Sequence, residues 1–424
     1  MGLLDAYRAA LGQDASVRAG TASVQIAQER MRQAQAQLLP TVSLTVSAAQ
    51  NNVLRTIGVG GEAADRRTER YDSDNQAIQL RQPVYRRSAW LMRDQLAVMR
   101  GDAESARDQE LANVALRIVA TYTEALLAQD EMGLAAAERA FLQEKLNAAM
   151  RSLAAGSGTR TDIDEVRARL DVHAVQELDI DQRLRQAVRE LELRTGERVA
   201  SLPRFQGALA DALDPGQRPM ADWMSRAEEA NPGVRGARAR VEASRLEVAK
   251  ARSNHEPVVD AFAQVVRSRS ETVTTPSSRY LNRTVGLQLN VPLYAGGATS
   301  SGVRQALAEQ DRAEALLEHA RRELALQVSR AYDMAEHALV KMRALVKVEG
   351  SSRLALQSAV RSREAGVRTL LDTLEAEQRV QAAQRDLAQA RYAYLRARVA
   401  LVVLAGEDPL PEITRQDALL LPAE

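Results

Sequence analysis

One motif is written twice in this chain, and it limits what the chain can fold into. Leu289-Asn290-Val291-Pro292-Leu293-Tyr294-Ala295-Gly296-Gly297 closes a run of alternating apolar and polar residues and opens a long stretch without proline. A weaker copy, Leu80-Arg81-Gln82-Pro83-Val84-Tyr85, does the same in the first half. Alternation is the period of a strand with two unlike faces, and a proline-free run of helix formers is what a long helix needs. Each copy is therefore a strand-to-helix junction, turned by Pro83 in one half and by Pro292, Gly296 and Gly297 in the other.

The rest of the chain repeats around these junctions. Pro40 pairs with Pro257, Pro83 with Pro292 and Tyr122 with Tyr332. Gly158-Thr159-Arg160-Thr161 pairs with Gly366-Val367-Arg368-Thr369, and Gly196-Glu197 with Gly406-Glu407, at spacings of 208 to 217 residues. Order-preserving matches over most of a chain indicate one structural unit used twice. The expected division is a first repeat over 1–196, a connector over 197–221, a second repeat over 222–406 and an irregular C-terminal tail over 407–424. Within the repeats the alternation predicts strands at about 41–50, 75–82, 258–267 and 283–291. The polar, Gly-bearing stretches 51–74 and 268–282 read as exposed loops. Helices are expected at about 86–152 and 162–195, and again at about 298–363 and 370–404.

Composition narrows the class. Aromatics are 3% of residues, with three Phe and two Trp, while Ala, Leu, Arg, Gln and Glu dominate, as in long helices rather than compact globules. Fifty-seven basic residues against 56 acidic ones give a net charge of +1, which offers no electrostatic case for nucleic acid. There is no cysteine, which removes thiol chemistry, thiolate metal sites and a lipid-modified cysteine. No uninterrupted run of about 18 apolar residues marks a transmembrane helix, but membrane β-strands need only about 9–11 weakly patterned residues. Met1-Gly2-Leu3-Leu4-Asp5 lacks the basic and apolar regions of a signal peptide, so a removed export signal is expected.

The last helix carries Val380, Ala383, Leu387, Ala390, Tyr394, Ala397, Leu401 and Leu404, a heptad seam. Ala306, Gln310, Ala313, Leu317, Ala320, Leu324, Val328, Ala331, Ala335, Ala338, Met342 and Leu345 form a matching stripe on the long helix before it. Such helices alone suit a soluble coiled-coil scaffold. The strands point elsewhere. Four of them cannot close a barrel, and open edges are a liability. Three chains pooling strands would give a barrel of about twelve, within the range of outer-membrane barrels. Tyr85, Trp90 and Tyr294 lie just past the strand ends, where an interfacial aromatic belt would sit.

These features together resemble the TolC family of outer-membrane channel-tunnel proteins. The resemblance rests on the two-fold repeat and on the junction at residues 289–297. It rests also on Gly366-Val367-Arg368-Thr369-Leu370-Leu371-Asp372-Thr373-Leu374-Glu375-Ala376 and on Asp386-Leu387-Ala388-Gln389-Ala390-Arg391-Tyr392-Ala393-Tyr394-Leu395. It implies a mainly α fold with a membrane β-barrel: a homotrimer with a 12-stranded barrel in outer-membrane lipid and a 12-helix tunnel crossing the periplasm, constricted at its tip. By the same resemblance Arg368 holds the closed state, Asp372 and Glu375 ring the aperture, and Asp164 links to the arginine. Where relatives often carry a tip tyrosine, this chain has Arg363. Facing acidic rings in a narrow mouth favour cations, and an acid at a helix start also suits the helix dipole.

Enzyme chemistry is not legible. No Walker A, G-x-G-x-x-G or G-x-S-x-G pattern occurs, and Gly296-Gly297 is not followed by Lys-Ser/Thr. His173, His255, His319 and His337 have no partner at metal-ligand spacing, so neither a metal nor a cofactor is expected. The expectation is a passive exit duct that receives substrate from an inner-membrane ABC transporter through a periplasmic adaptor (membrane fusion) protein. Type I secretion of proteins such as repeat-in-toxin exports is the first reading. Drug or metal efflux, with an ABC or proton-driven pump, is the second.

Overall fold

The computed structural model describes residues 1–57, 65–205, 218–272 and 275–421. The helices and strands follow in the order α1 (Leu3–Gln13), α2 (Ala15–Ala36), β1 (Thr41–Ile57), β2 (Asp65–Tyr85), α3 (Arg87–Ala154), α4 (Arg160–Thr195), β3 (Arg204–Phe205), α5 (Met220–Ala230), α6 (Pro232–Ser253), β4 (Val258–Thr272), β5 (Thr275–Asn290), α7 (Ala298–Glu364), α8 (Leu370–Leu404), α9 (Leu410–Asp417) and β6 (Leu420–Leu421). The fold is mainly helical with one four-stranded antiparallel sheet, and the same succession of helix, hairpin and two long helices occurs twice. Two compact units form, each drawing on both halves: Met1–Ala22, Glu104–Gly236 and Glu318–Glu424 make the helical unit, and Ser23–Ala103 with Ala237–Leu317 make the sheet unit.

In the helical unit, α8 is the central element. Its heptad seam from Val380 to Leu401 is buried, and so are Ala388, Tyr392, Leu395, Val399, Val402 and Val403 on its other sides. A helix covered on several faces reads as apolar all round, which is why the seam alone understates its burial. Val114, Ile118, Tyr122 and Leu126 of α3 pack into the same core with Leu191 of α4 and Met342 of α7. By length and composition α3 contains a stretch able to cross a membrane, but more than half of that stretch is buried. The C-terminal tail is not irregular. Residues 410–417 form α9, with Pro411 near its start and Ile413 fully buried in the core. Its Asp417 accepts a 2.6 Å hydrogen bond from the Leu3 amide, and β6 pairs with β3. The polar letters of the tail hid an amphipathic turn whose partners lie more than 400 residues away in sequence. Most of the expected connector, residues 206–217, lies outside the described residues.

In the sheet unit the strands run in the order β1-β2-β4-β5, all antiparallel. They extend well past the expected ends. The stretches 51–57, 65–74, 268–272 and 275–282, read as loop, are strand, and 58–64 lies outside the described residues. Charged and polar residues there break the apolar alternation, but backbone pairing needs no apolar side chain, so the ladder continues from Asn51↔Tyr71 to Ile57↔Asp65. The second strand also continues through Pro83 to Tyr85. Proline cannot donate to a ladder, and it is tolerated here because the register shifts between Pro83 and Tyr85.

Candidate functional site

The first candidate is the pair of helix turns in the helical unit. After α3, Gly156 takes the left-handed conformation at φ 76°, and after α7 Gly366 does so at 77°. In each turn one serine carbonyl collects two amides. Ser152 accepts from Ser157 and Gly158 at 3.0 Å each, and Ser362 accepts from Val367 at 2.9 Å and Arg368 at 3.3 Å. A threonine then caps the next helix. Thr159 and Asp162 exchange bonds at 3.2 and 3.3 Å. Thr369 donates its amide to Asp372 at 2.9 Å and accepts from the Asp372 amide at 3.3 Å. Both are capping boxes, with aspartate in place of the commoner glutamate.

This geometry corrects the alignment of the two turns. The counterpart of Gly366 is Gly156, not Gly158, and the counterpart of Thr369 is Thr159, not Thr161. Asp162 is thus the twin of Asp372, and Glu165 the twin of Glu375. Their ion pairs agree, since Glu165 meets Arg169 at 3.0 Å and Glu375 meets Arg379 at 3.6 Å, both one turn on. Asp162 was missed in the sequence, although Thr159-x-x-Asp162 carried the signal.

The structure brings Arg368 close enough to Asp372 to act on it electrostatically. The Asp372 carboxyl is held below the ordinary carboxylate value, first by the Thr369 hydroxyl, which donates at 2.7 Å, then by the Thr369 amide and by Arg368. Asp164 and Arg368 are both exposed, and no ion pair joins them within the chain. Arg363 is half-buried in the last turn of α7, where its carbonyl accepts from Gly366 at 2.9 Å. Below the turns, Leu142, Val166, Leu370 and Leu374 form a small core that fixes the start of α8. The turns therefore present Asp372, Glu375, Arg368 and Asp164 on rigid, capped ends.

The second candidate is the sheet. Register places Val42, Leu80, Ala263 and Val285 in one row, and Leu44, Ile78 and Val265 in the next, on a single face. That face is open: Val42 is 71% exposed, Leu44 66% and Val285 85%. The opposite face carries Ser43, Thr45, Gln79, Gln264 and Gln288. It also carries Phe262 over Gly286, where an added Cβ would meet the ring at 2.8 Å. A contiguous exposed apolar face of this size does not suit a soluble scaffold; it suits lipid. At the junction end of the sheet, Asp260 on β4 is 5% exposed and accepts from Arg81 at 2.5 Å and Arg86 at 3.1 Å. Tyr85 meets Trp90 edge-on at 5.8 Å and donates to Glu256 at 2.7 Å. Tyr294 is 90% exposed. The junctions differ strongly: Arg86 alone separates β2 from α3, whereas residues 291–297 separate β5 from α7, with Gly296 and Gly297 at φ 58° and 81°.

Among the described residues no group of histidine and acidic side chains could hold a metal. His173 is buried, with Nε2 2.8 Å from the Ala135 carbonyl.

Comparison with known proteins bears on both candidates. The sequence model described as outer membrane efflux protein matches residues 6–197 and 223–407. The chain is 31% identical over 427 residues to the proteases secretion protein PrtF of Dickeya chrysanthemi, covering all of this chain and 91% of the relative. It is 31% identical over 417 residues to the alkaline protease secretion protein AprF of Pseudomonas aeruginosa, covering 96% and 84%. Outer membrane protein TolC of Escherichia coli is 24% identical over 407 residues, covering 93% and 80%. Among solved structures, CusC aligns with a TM-score of 0.82 at 17% identity over 96% of this chain and 92% of that one. The outer membrane protein VceC of Vibrio cholerae aligns at 0.81 and 17%, over 96% of each chain.

Proposed function

The chain belongs to the outer membrane efflux protein family, and on that premise we propose that it is the outer-membrane exit duct of a type I protein secretion system. It is an outer-membrane channel that extends into the periplasm. The observation that carries the reading is the sheet. One face is apolar and open, and among the described strands β1 and β5 each pair on one side only. Three copies joining β5 of one to β1 of the next close a barrel of about twelve strands, which removes every edge. The heptad helices line the periplasmic passage, and the capped turns form its aperture. Arg368, with Asp164 of a neighbouring chain, holds the closed state, while Asp372 and Glu375 ring the opening; the half-buried Arg363 replaces a tyrosine latch.

The duct is passive. Transport energy comes from an inner-membrane ABC transporter, coupled through a periplasmic adaptor. Likeness to two secretion proteins, PrtF and AprF, over nearly the whole chain supports protein cargo over small molecules. The test is reconstitution of secretion. A strain lacking its own duct receives this chain with an adaptor, a transporter and a substrate of the protease-secretion type. Substrate should reach the medium only when the chain is present. Failure to support secretion, together with restored drug or metal resistance, would give the role to an efflux pump.

A further inference from the structure

The outer half of the sheet carries a feature the duct reading does not use. On the open, apolar-side face, Arg283 lies opposite Val265, Arg267 opposite Leu281, and Arg269 directly opposite Arg279. All four are exposed. They occupy two neighbouring strands, and the equivalent rows of β1 hold Leu44, Val46 and Ala48. On the neighbouring β2, Asp74 lies opposite Arg269, and Asp72 lies one row further out, so four arginines stand against these two aspartates.

Its height is informative. Counting from the lowest apolar row, Leu289 with Val259, a rise of about 3.4 Å per residue and a tilt of about 40° place Arg283 about 16 Å up and Arg267 about 21 Å up. The Arg269–Arg279 row comes out at about 26 Å. The apolar band of such barrels is about 25 Å tall. Arg269 and Arg279 sit at its edge, Arg267 reaches it by extending its side chain outward, and Arg283 brings its guanidinium to within a few ångströms of it.

We propose that Arg267, Arg269, Arg279 and Arg283 form a docking patch for the phosphate groups of glycolipid in the outer leaflet around the barrel. Guanidinium groups bind phosphate oxygens bidentately, and Arg269 and Arg279, directly opposite on one face, place two such groups within reach of a single phosphate. The proposal rests on the outer-membrane reading. Three chains would present three such patches around the barrel.

Native mass spectrometry of the full chain, purified in detergent as its assembled oligomer, tests it. The probes are lipid A bearing its phosphates and the same lipid enzymatically dephosphorylated. The phosphorylated form should be retained at least tenfold more, and Arg269→Gln with Arg279→Gln should remove most of that preference. Equal retention of both lipids by the unaltered protein, or an undiminished preference in a variant that assembles, overturns the proposal. The comparison of two lipids on the unaltered protein decides the matter even if the variant does not assemble. Recovery of the chain outside the outer-membrane fraction would instead sink the duct reading.

Discussion

Arg81 on β2 donates to Asp260 on β4 at 2.5 Å, so the first half of the chain is clamped to the second where the sheet meets its helices. Arg86 adds a bond at 3.1 Å to the same carboxylate, which is 5% exposed. Asp260 is the buried member of this cluster, whereas the Arg81 and Arg86 side chains are 52% and 31% exposed and stay within reach of water. Asp260→Ala removes two charge-assisted bonds at once and should cost about 2 kcal/mol and lower the melting midpoint of the detergent-solubilised protein. Arg81→Gln leaves Arg86 in place and, since Arg81 is half exposed, should cost about 1 kcal/mol or less. Equal losses for the two variants would contradict this division of roles.

Thr369→Ala should loosen the first turn of α8 by about 1 kcal/mol, the usual worth of a helix cap. It should also raise the Asp372 pKa, because the hydroxyl is the largest of the groups lowering it. Hydrogen exchange of the amides at 370–373 should quicken, while exchange in the middle of α8 stays unchanged. A variant with unaltered exchange at those amides would show that the cap does not hold the turn.

The same cap depends on pH with a definite sign. Asp372 in the folded chain titrates below its ordinary value. Its contribution is therefore complete at neutral pH and is lost as pH falls through the ordinary carboxylate range to the lowered folded pKa. Exchange at 370–373 should be protected at pH 6 beyond the intrinsic pH effect and lose that extra protection progressively as the pH falls below the ordinary carboxylate range. Protection that grows on acidification would reverse the sign and refute the assignment.

Glu375 is the cleaner probe of the aperture, since it takes no part in the cap and pairs with Arg379 at 3.6 Å across an exposed surface. Glu375→Gln should reduce the preference for cations over anions in planar bilayers with no change in melting. Replacing Asp372 would confuse charge with loss of the cap. Unchanged selectivity in Glu375→Gln would remove Glu375 from the opening.

At the second junction the constraint is backbone alone. Gly296 and Gly297 have positive φ, and nothing lies within 4 Å of an added Cβ at either. Gly297→Ala should cost about 1 kcal/mol through left-handed strain. Gly297→Asn should cost less, because asparagine visits that region more readily. At Gly286 the order inverts its cause: the backbone is permissive and the Phe262 ring is in the way. A paired melting series would separate the two, and equal tolerance of Ala and Asn at 297 would argue against strain.

The sequence by itself determined the two-fold plan, the mainly helical class and the faces of the strands. Those follow from periodicities that each segment carries alone: Val42, Leu44 and Val46 mark one sheet face, and Val380 to Leu401 mark one helix seam. The turns were partly legible. Gly366 announced a turn, but its partner in the first half was misaligned by two residues, because Gly156 and Gly158 look alike until φ separates them, and the caps at Thr159 and Thr369 came only with the structure. What only the tertiary structure decided were the non-local pairings. Strands persisted through polar residues because a neighbouring strand was there to pair with the backbone, which no local pattern reports. Residues 410–417 became helix because Ile413 found a core built from segments spread along the chain, from Leu3 through Tyr122 and Leu191 to Leu395. Arg269 and Arg279 became neighbours through register alone. In each case the deciding energy lies in a contact between segments far apart in sequence, and a period read along one segment carries no trace of it.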